Sequence, residues 1–198
     1  MKKEKNVYAW IMVIGVISFV GFWIEDIWMA FIQKHMDNRN MCLPFLLGYG
    51  LAAALIYGLF GTPGDMRLLK HKVKIKSLWL SRLVYFLLMV VCVSVGELAL
   101  GTTVEKLTGN IWWDYRNMPF YFTPYVSLYT SLGLGAALTA GMDWVFLPLN
   151  RYFQKWDLKL LRICAITLGV LLLADYLFSM GYMLVNHKGI FLWRFFFK

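Results

Sequence analysis

Charge is scarce in this 198-residue chain. Lys, Arg, Asp and Glu make up 16% of it, where soluble domains carry about a quarter. Hydrophobic residues make up 60%, aromatics 18%, and the mean hydropathy is +0.60. That balance excludes an ordinary water-soluble domain, because so much apolar surface needs a solvent other than water. Acid is scarcer than base, with 11 Asp and Glu against 20 Lys and Arg and a net charge of +9. The excess does not read as nucleic-acid binding, because the basic residues sit in short stretches between long apolar runs. There are three cysteines, Cys42, Cys92 and Cys164, and no C-x-x-C pair. This argues against a zinc site or dithiol redox centre and leaves small buried hydrophobes.

Other motifs are missing too. No H-E-x-x-H, aspartate-rich metal pair or Ser/Cys–His arrangement occurs, so no metal, no cofactor and no named catalytic chemistry is expected. No G-x-x-x-x-G-K-[ST] occurs, so the chain does not hydrolyse ATP through that loop. No internal repeat is visible, and the apolar runs do not divide into matched halves, which argues against a duplicated transporter.

What is present is length of apolar run. A helix crossing the hydrocarbon core needs about 20 apolar residues. Five stretches meet this, at about 7–32, 42–61, 78–101, 124–147 and 161–185. The expected fold is therefore an all-α integral membrane protein. It forms one domain over 1–198, a compact bundle of about five transmembrane helices. The start Met-Lys-Lys-Glu-Lys resembles a signal peptide, but the run after it is too long and lacks a small-residue cleavage site. It reads as an uncleaved first helix. Most Lys and Arg, including the dense block from Arg67 to Lys76, fall on one side if the N-terminus is cytoplasmic. The positive-inside rule then gives N-in and C-out, in the cytoplasmic membrane. The closing 190–198 segment is too short to cross and is expected to lie in the interface. Small residues at Gly50, Ala54 and Gly58, and at Gly133, Ala137 and Gly141, are expected to mark packing seams.

The outer segment 102–123 is neither a span nor an ordinary polar loop. It carries Trp112, Trp113, Tyr115, Phe120, Tyr121 and Phe122 around Asp114 and Arg116. It reads equally as an aromatic interfacial belt or as a re-entrant or lid segment. Acids inside apolar runs are costly, at about 2.5–3.5 kcal/mol on insertion scales, and need partners. They are Glu25, Asp26, Glu97, Asp143 and Asp175. All but Asp143 fall toward the outer side, where Glu105 and Asp114 add to them. Arg39, Arg116, His35 and His187 are the basic partners available there. The alternatives are structural salt bridges, a polar cavity open to the outer leaflet, or snorkelling side chains. The ligand-binding candidates are Glu25, Arg39, Glu97, Trp112, Trp113, Asp114, Tyr115, Arg116 and Asp175.

Several of these positions carry a family resemblance. Gly21-Phe-Trp-Ile-Glu25, the stretch Arg39 to Gly50 ending Leu47-Gly48-Tyr49-Gly50, and above all Glu97-x-x-x-Gly101, Glu105, Trp113-Asp114-Tyr115 and Pro119 are the residues concerned. They resemble the signature of the type IV ABC-transporter (permease-like) family of small bacterial membrane proteins. The resemblance covers roughly 19–137 and implies transport, with the ATPase on another polypeptide. Three functions follow as expectations. The first is a transport-related protein with an outer acidic and aromatic site for a cationic, lipidic or lipid-linked ligand. The second is an intramembrane enzyme acting on a lipid headgroup or polyprenyl chain. The third is a structural or regulatory subunit whose acids are all consumed by its own arginines. The partners expected are membrane lipids and either a homo-oligomer or a separate ATPase subunit, with no nucleic acid.

Overall fold

In the computed structural model, residues 2–69, 71–109 and 111–197 are described. Lys70 and Lys198, counted among the basic residues above, lie outside them. The chain is 68% helical. Its elements run α1 (Lys2–Gln33), β1 (His35–Asp37), α2 (Leu47–Phe60), β2 (Gly61–Thr62), β3 (Asp65–Leu68), β4 (His71–Lys72) and α3 (Leu78–Thr108). These are followed by β5 (Tyr121–Thr123), β6 (Val126–Ser127), α4 (Leu128–Gly141), α5 (Leu147–Gln154), α6 (Leu158–Asn186) and β7 (Arg194–Phe196). A π-helical turn, Met142–Phe146, joins α4 to α5, so that Leu128–Gln154 is one continuous rod. Pro148 lies just beyond the π turn. It has no N–H to offer the carbonyl four residues back, and a locally widened turn relieves that conflict.

Among the described residues, four helices are long and apolar enough to cross a membrane: Glu4–Phe31, Leu78–Thr108, Leu128–Gln154 and Leu158–Asn186. Their outward faces are apolar, as Leu83, Leu87, Val91 and Val95 on α3 and Val170, Leu173 and Leu177 on α6 show. Side chains of that kind are stable when lipid is the solvent. Local signals set the helix ends. Ser77 caps α3, and Gly109 closes it in the left-handed conformation, with φ 70°. Asp157 caps α6 by accepting from the N–H groups of Lys159 and Leu160.

The run expected to span 42–61 differs. Its helix starts only at Leu47 and has 14 residues. Residues 41–46, with Pro44 among them, form no helix.

The chain divides into two compact units. One comprises Met1–Leu55 with Pro148–Lys198, and the other Ile56–Leu147. In the first, α1 packs along α6. Both helices run the same way. Asn6 accepts from Gln154 near their starts, and β1 pairs antiparallel with β7 just beyond their ends. Ala9, Val13, Leu161, Ala165 and Leu172 fill the seam. Gly50 at the start of α2 lies against the Ile14 carbonyl and the Ser18 hydroxyl, where any Cβ would overlap. In the second unit α3 packs antiparallel to α4. Gly135 faces Val90, while Gly133 has nothing within 4 Å, so the close approach is displaced from the expected stripe. Ser94 donates to Ser131 at 3.0 Å, and Arg82 holds Asp143 at 2.8 Å. The strands β2, β3 and β4 form a small antiparallel sheet. Tyr85 and Ser81 of α3 hold it by donating to the carbonyls of Gly61 and Pro63.

Candidate functional site

Within the first unit, the candidates Glu25 and Arg39 come together, and Asp26 and Asp37 join them. Glu25 and Asp26 are adjacent near the end of α1. Arg39 follows β1 in a left-handed conformation, φ 47°, which disfavours a long L side chain. Its guanidinium lies 3.0 Å from Asp26, 3.2 Å from Asp37 and 3.7 Å from Glu25. The Arg39 side chain is 10% exposed, and that of Asp26 is fully buried. A buried charge is tolerated only when paired and hydrogen-bonded. Further bonds extend the network, although Asp26 Oδ2 and Arg39 Nη2 have no hydrogen-bond partner among the described residues. Tyr49 donates to Glu25 at 2.9 Å, the Asp37 N–H donates to Asp26, and Arg194 reaches Asp37 at 3.2 Å.

Asp175 is in the same unit and does something else. Its carboxylate accepts from the backbone N–H groups of Cys42 (2.9 Å) and Leu43 (3.3 Å). Nearby, the Leu46 N–H donates to the Ser18 carbonyl at 3.0 Å. At about 1.5 Å per residue, Asp175 sits about 16 Å short of the end of α6, and Ser18 about 22 Å short of the end of α1. The non-helical 41–46 segment is therefore held at the depth of the middle of two spans. Irregular backbone is stable at that depth only when protein satisfies its polar groups. Asp175 and Ser18 do so.

Within the second unit, Glu97, Gly101 and Glu105 lie at successive i+4 positions on one face of α3. Each receives part of the aromatic segment. Tyr115 donates to Glu97 at 3.0 Å. The Tyr125 ring lies directly on Gly101, where a Cβ would overlap it. The Tyr125 hydroxyl donates to Glu105. Trp113 donates its indole N–H to the Tyr125 carbonyl at 3.1 Å, with the two rings 6.1 Å apart and edge-on. The segment folds back as the β5–β6 hairpin, closed by Tyr115 N–H to the Pro124 carbonyl. It leaves Phe120 and Phe122 exposed. Asp114 pairs with Arg116 two residues on, at the surface. The Arg116 guanidinium holds the Asp114 carboxyl below its usual range, and the pair raises Arg116. The bond to Glu105 pushes the Tyr125 hydroxyl up to about 12. The Trp112 indole N–H is buried without a hydrogen-bond partner among the described residues.

The candidates thus fall into two clusters, one in each unit. Asp37, Asn38 and Tyr125 left no signal in the sequence that pointed to the site, and Tyr49 entered only through the Leu47-Gly48-Tyr49-Gly50 stretch. Buried Asn38 donates to the carbonyls of Met41 and Ile190 and accepts from the Leu192 N–H. The run Asp37-Asn38-Arg39-Asn40 was a readable turn signal. The reach of Asn38 to residues 190 and 192 left no trace in the sequence. Among the described residues, no group of three or more His, Cys, Asp or Glu side chains could hold a metal ion.

No curated protein and no solved structure matches the chain. One family model does, described as "Putative ABC-transporter type IV", and it covers residues 12–180. That stretch contains α1 from its third turn, the non-helical 41–46 segment, the Glu97–Glu105 face with its aromatic hairpin, and most of α6. This multi-pass membrane protein, with its transport-type sequence, belongs to the type IV ABC-transporter family.

Proposed function

We propose that the chain is a membrane-embedded subunit of a transport system, handling a lipidic or lipid-linked ligand and driven by an ATPase on a separate polypeptide. It lies in the bacterial cytoplasmic membrane with its N-terminus inside. The observation that carries this reading is the 41–46 segment, non-helical backbone held at membrane depth by Asp175 and Ser18. Non-helical backbone at such depth persists where it is buried in protein or lines a cavity, and a substrate path is such a cavity. In this reading Trp112, Trp113 and Tyr115 offer the ligand an apolar platform. Glu97 and Asp114 position that platform, while Glu25, Arg39 and Asp175 position the loop. A cationic ligand fits less well, because Arg39 and Arg116 already engage the nearby carboxylates. The basic β3–β4 region, with Arg67, Lys72, Lys74 and Lys76, suits the anionic inner leaflet.

Those closed ion pairs also favour a second reading, a structural or regulatory subunit with no ligand of its own. One purification separates the two. The tagged chain, extracted from its native membrane in mild detergent, should bring with it an ATPase carrying a Walker motif, and lipid should stimulate its turnover. Purification without an ATPase would overturn the transport reading. An ATPase whose turnover ignores every lipid would favour the regulatory subunit.

A further inference from the structure

The first unit contains a cavity of about 550 Å³ that no motif pointed to. Phe22 and Trp23 of α1, Met36 of β1, Cys42 of the 41–46 loop, and Trp193 and Phe195 near the C-terminus line it. No charged side chain does. Asn38 also lines it, but both ends of its amide are engaged within the protein, by Met41, Ile190 and Leu192. The cavity therefore offers an occupant apolar contact and little else. Phe22 lies about 16 Å short of the end of α1, and Cys42 is level with Asp175 at about the same depth on α6. The floor of the cavity is thus at hydrocarbon depth. Trp23 is partly exposed and continues into the lipid-facing side chains Val20, Ile24 and Ile27, so the cavity is continuous with the lipid-facing surface. Exposed Lys34 and Lys188 stand at the ends of α1 and α6, on the same side, where a phosphate would lie.

The β1–β7 ribbon bounds this cavity on one face only. Side chains alternate between the faces of a strand. Met36 and Phe195, directly opposed in the register, face the cavity. Asp37 and Arg194, also opposed, pair with each other behind it, and Asp37 continues to Arg39. The ion network therefore fastens the ribbon from its rear.

We propose that this cavity takes one acyl chain of a membrane phospholipid, and that the Arg39–Asp37–Arg194 pairs latch the ribbon over it. The inference rests on the lipidic-ligand reading above and adds to it a lipid site in the first unit, separate from the Trp112–Tyr115 platform of the second.

Cys42 provides a built-in probe. The full chain carrying Cys92→Ala and Cys164→Ala is purified in mild detergent, delipidated, and labelled with N-ethylmaleimide. Adding dioleoyl phosphatidylglycerol should slow Cys42 labelling about tenfold, and native mass spectrometry should show one phospholipid retained per chain. Met36→Trp, which puts a bulkier side chain into the cavity, should weaken both effects while the chain still elutes as a folded species. Arg194→Ala should raise the labelling rate several-fold before lipid is added. Equal labelling with and without lipid, or protection by oleate alone with no phospholipid retained, would overturn the assignment. An unchanged rate in Arg194→Ala would overturn the latch. These outcomes do not depend on the ATPase: an empty cavity in a chain that still brings one with it leaves the transport reading standing.

Discussion

Arg39 carries more of this structure than any other charged side chain. It is almost buried and answers three carboxylates, one of them, Asp26, fully out of solvent. Removing it strands Asp26, and breaking a buried pair costs about 3–5 kcal/mol. Arg39→Met should therefore lower the unfolding temperature in mild detergent substantially. Arg116→Met should leave it unchanged, because the Asp114 pair is exposed and such pairs contribute little. A wild-type melting curve for Arg39→Met would remove the network from the architecture. Tyr125 offers a second residue-scale test. Its hydroxyl is raised to about 12 by donating to Glu105, against an ordinary value of about 10. A raised folded value means stabilisation that is fully present below pH of about 10 and lost as pH rises through about 12. A tyrosinate absorbance titration should lose one late-titrating tyrosine in Tyr125→Phe, and Glu105→Gln should move that component down. A late component unchanged in Tyr125→Phe would place the hydroxyl elsewhere. Glu25 and Glu97 stood out in the sequence because an acid in an apolar run is conspicuous. Tyr115 stood out with them, in the Trp113-Asp114-Tyr115 block, and Tyr49 in Leu47-Gly48-Tyr49-Gly50, but nothing in the sequence pairs either tyrosine with its glutamate.

At the scale of elements, the Glu97–Gly101–Glu105 face was legible as a spacing but not as a dock. The i+4 repeat marks one helix face, while the three contacts it makes come from residues 115 and 125, brought over by the hairpin. The second span was the weaker reading. Hydropathy over 42–61 is that of a crossing helix, and hydropathy does not distinguish apolar helix from apolar loop. What decides is where the backbone N–H groups go, and those of Cys42 and Leu43 go to Asp175. That contact, 133 residues away, is invisible to any window along the chain. Substitution at Asp175 should separate charge from hydrogen bonding. Asp175→Asn keeps an acceptor oxygen and should fold with a modest loss. Asp175→Leu keeps none and leaves buried N–H groups unsatisfied, at about 1–3 kcal/mol for such a group. Protease cleavage within 41–46 should then rise sharply in the leucine variant alone. Equal cleavage in both variants would mean that the negative charge, rather than the acceptor, holds the loop.

For the whole molecule the question is how many times the chain crosses. Four helices are long enough, and four crossings would return the C-terminus to the side of the N-terminus. The second segment decides this. Its non-helical part is held near the middle of two spans, and half of a hydrocarbon core of about 30 Å is about 15 Å. The 14 residues of α2 rise about 21 Å. A loop descending to mid-depth followed by this short helix is therefore sufficient for a complete crossing. In the N-in orientation proposed above, a complete crossing there puts the basic 67–76 block on the cytoplasmic side, as the positive-inside rule requires. Single cysteines at Lys5, Lys74 and Lys188, in a chain whose own three cysteines are alanine, should sort accordingly. A membrane-impermeant maleimide added outside intact cells should label position 188 and spare 5 and 74. Labelling of position 74 with 5 still protected would mean that α2 turns back toward the side from which the loop entered. The acyl cavity beside Cys42 would then belong to a hairpin dipping into one leaflet, and the basic block would face away from the cytoplasm.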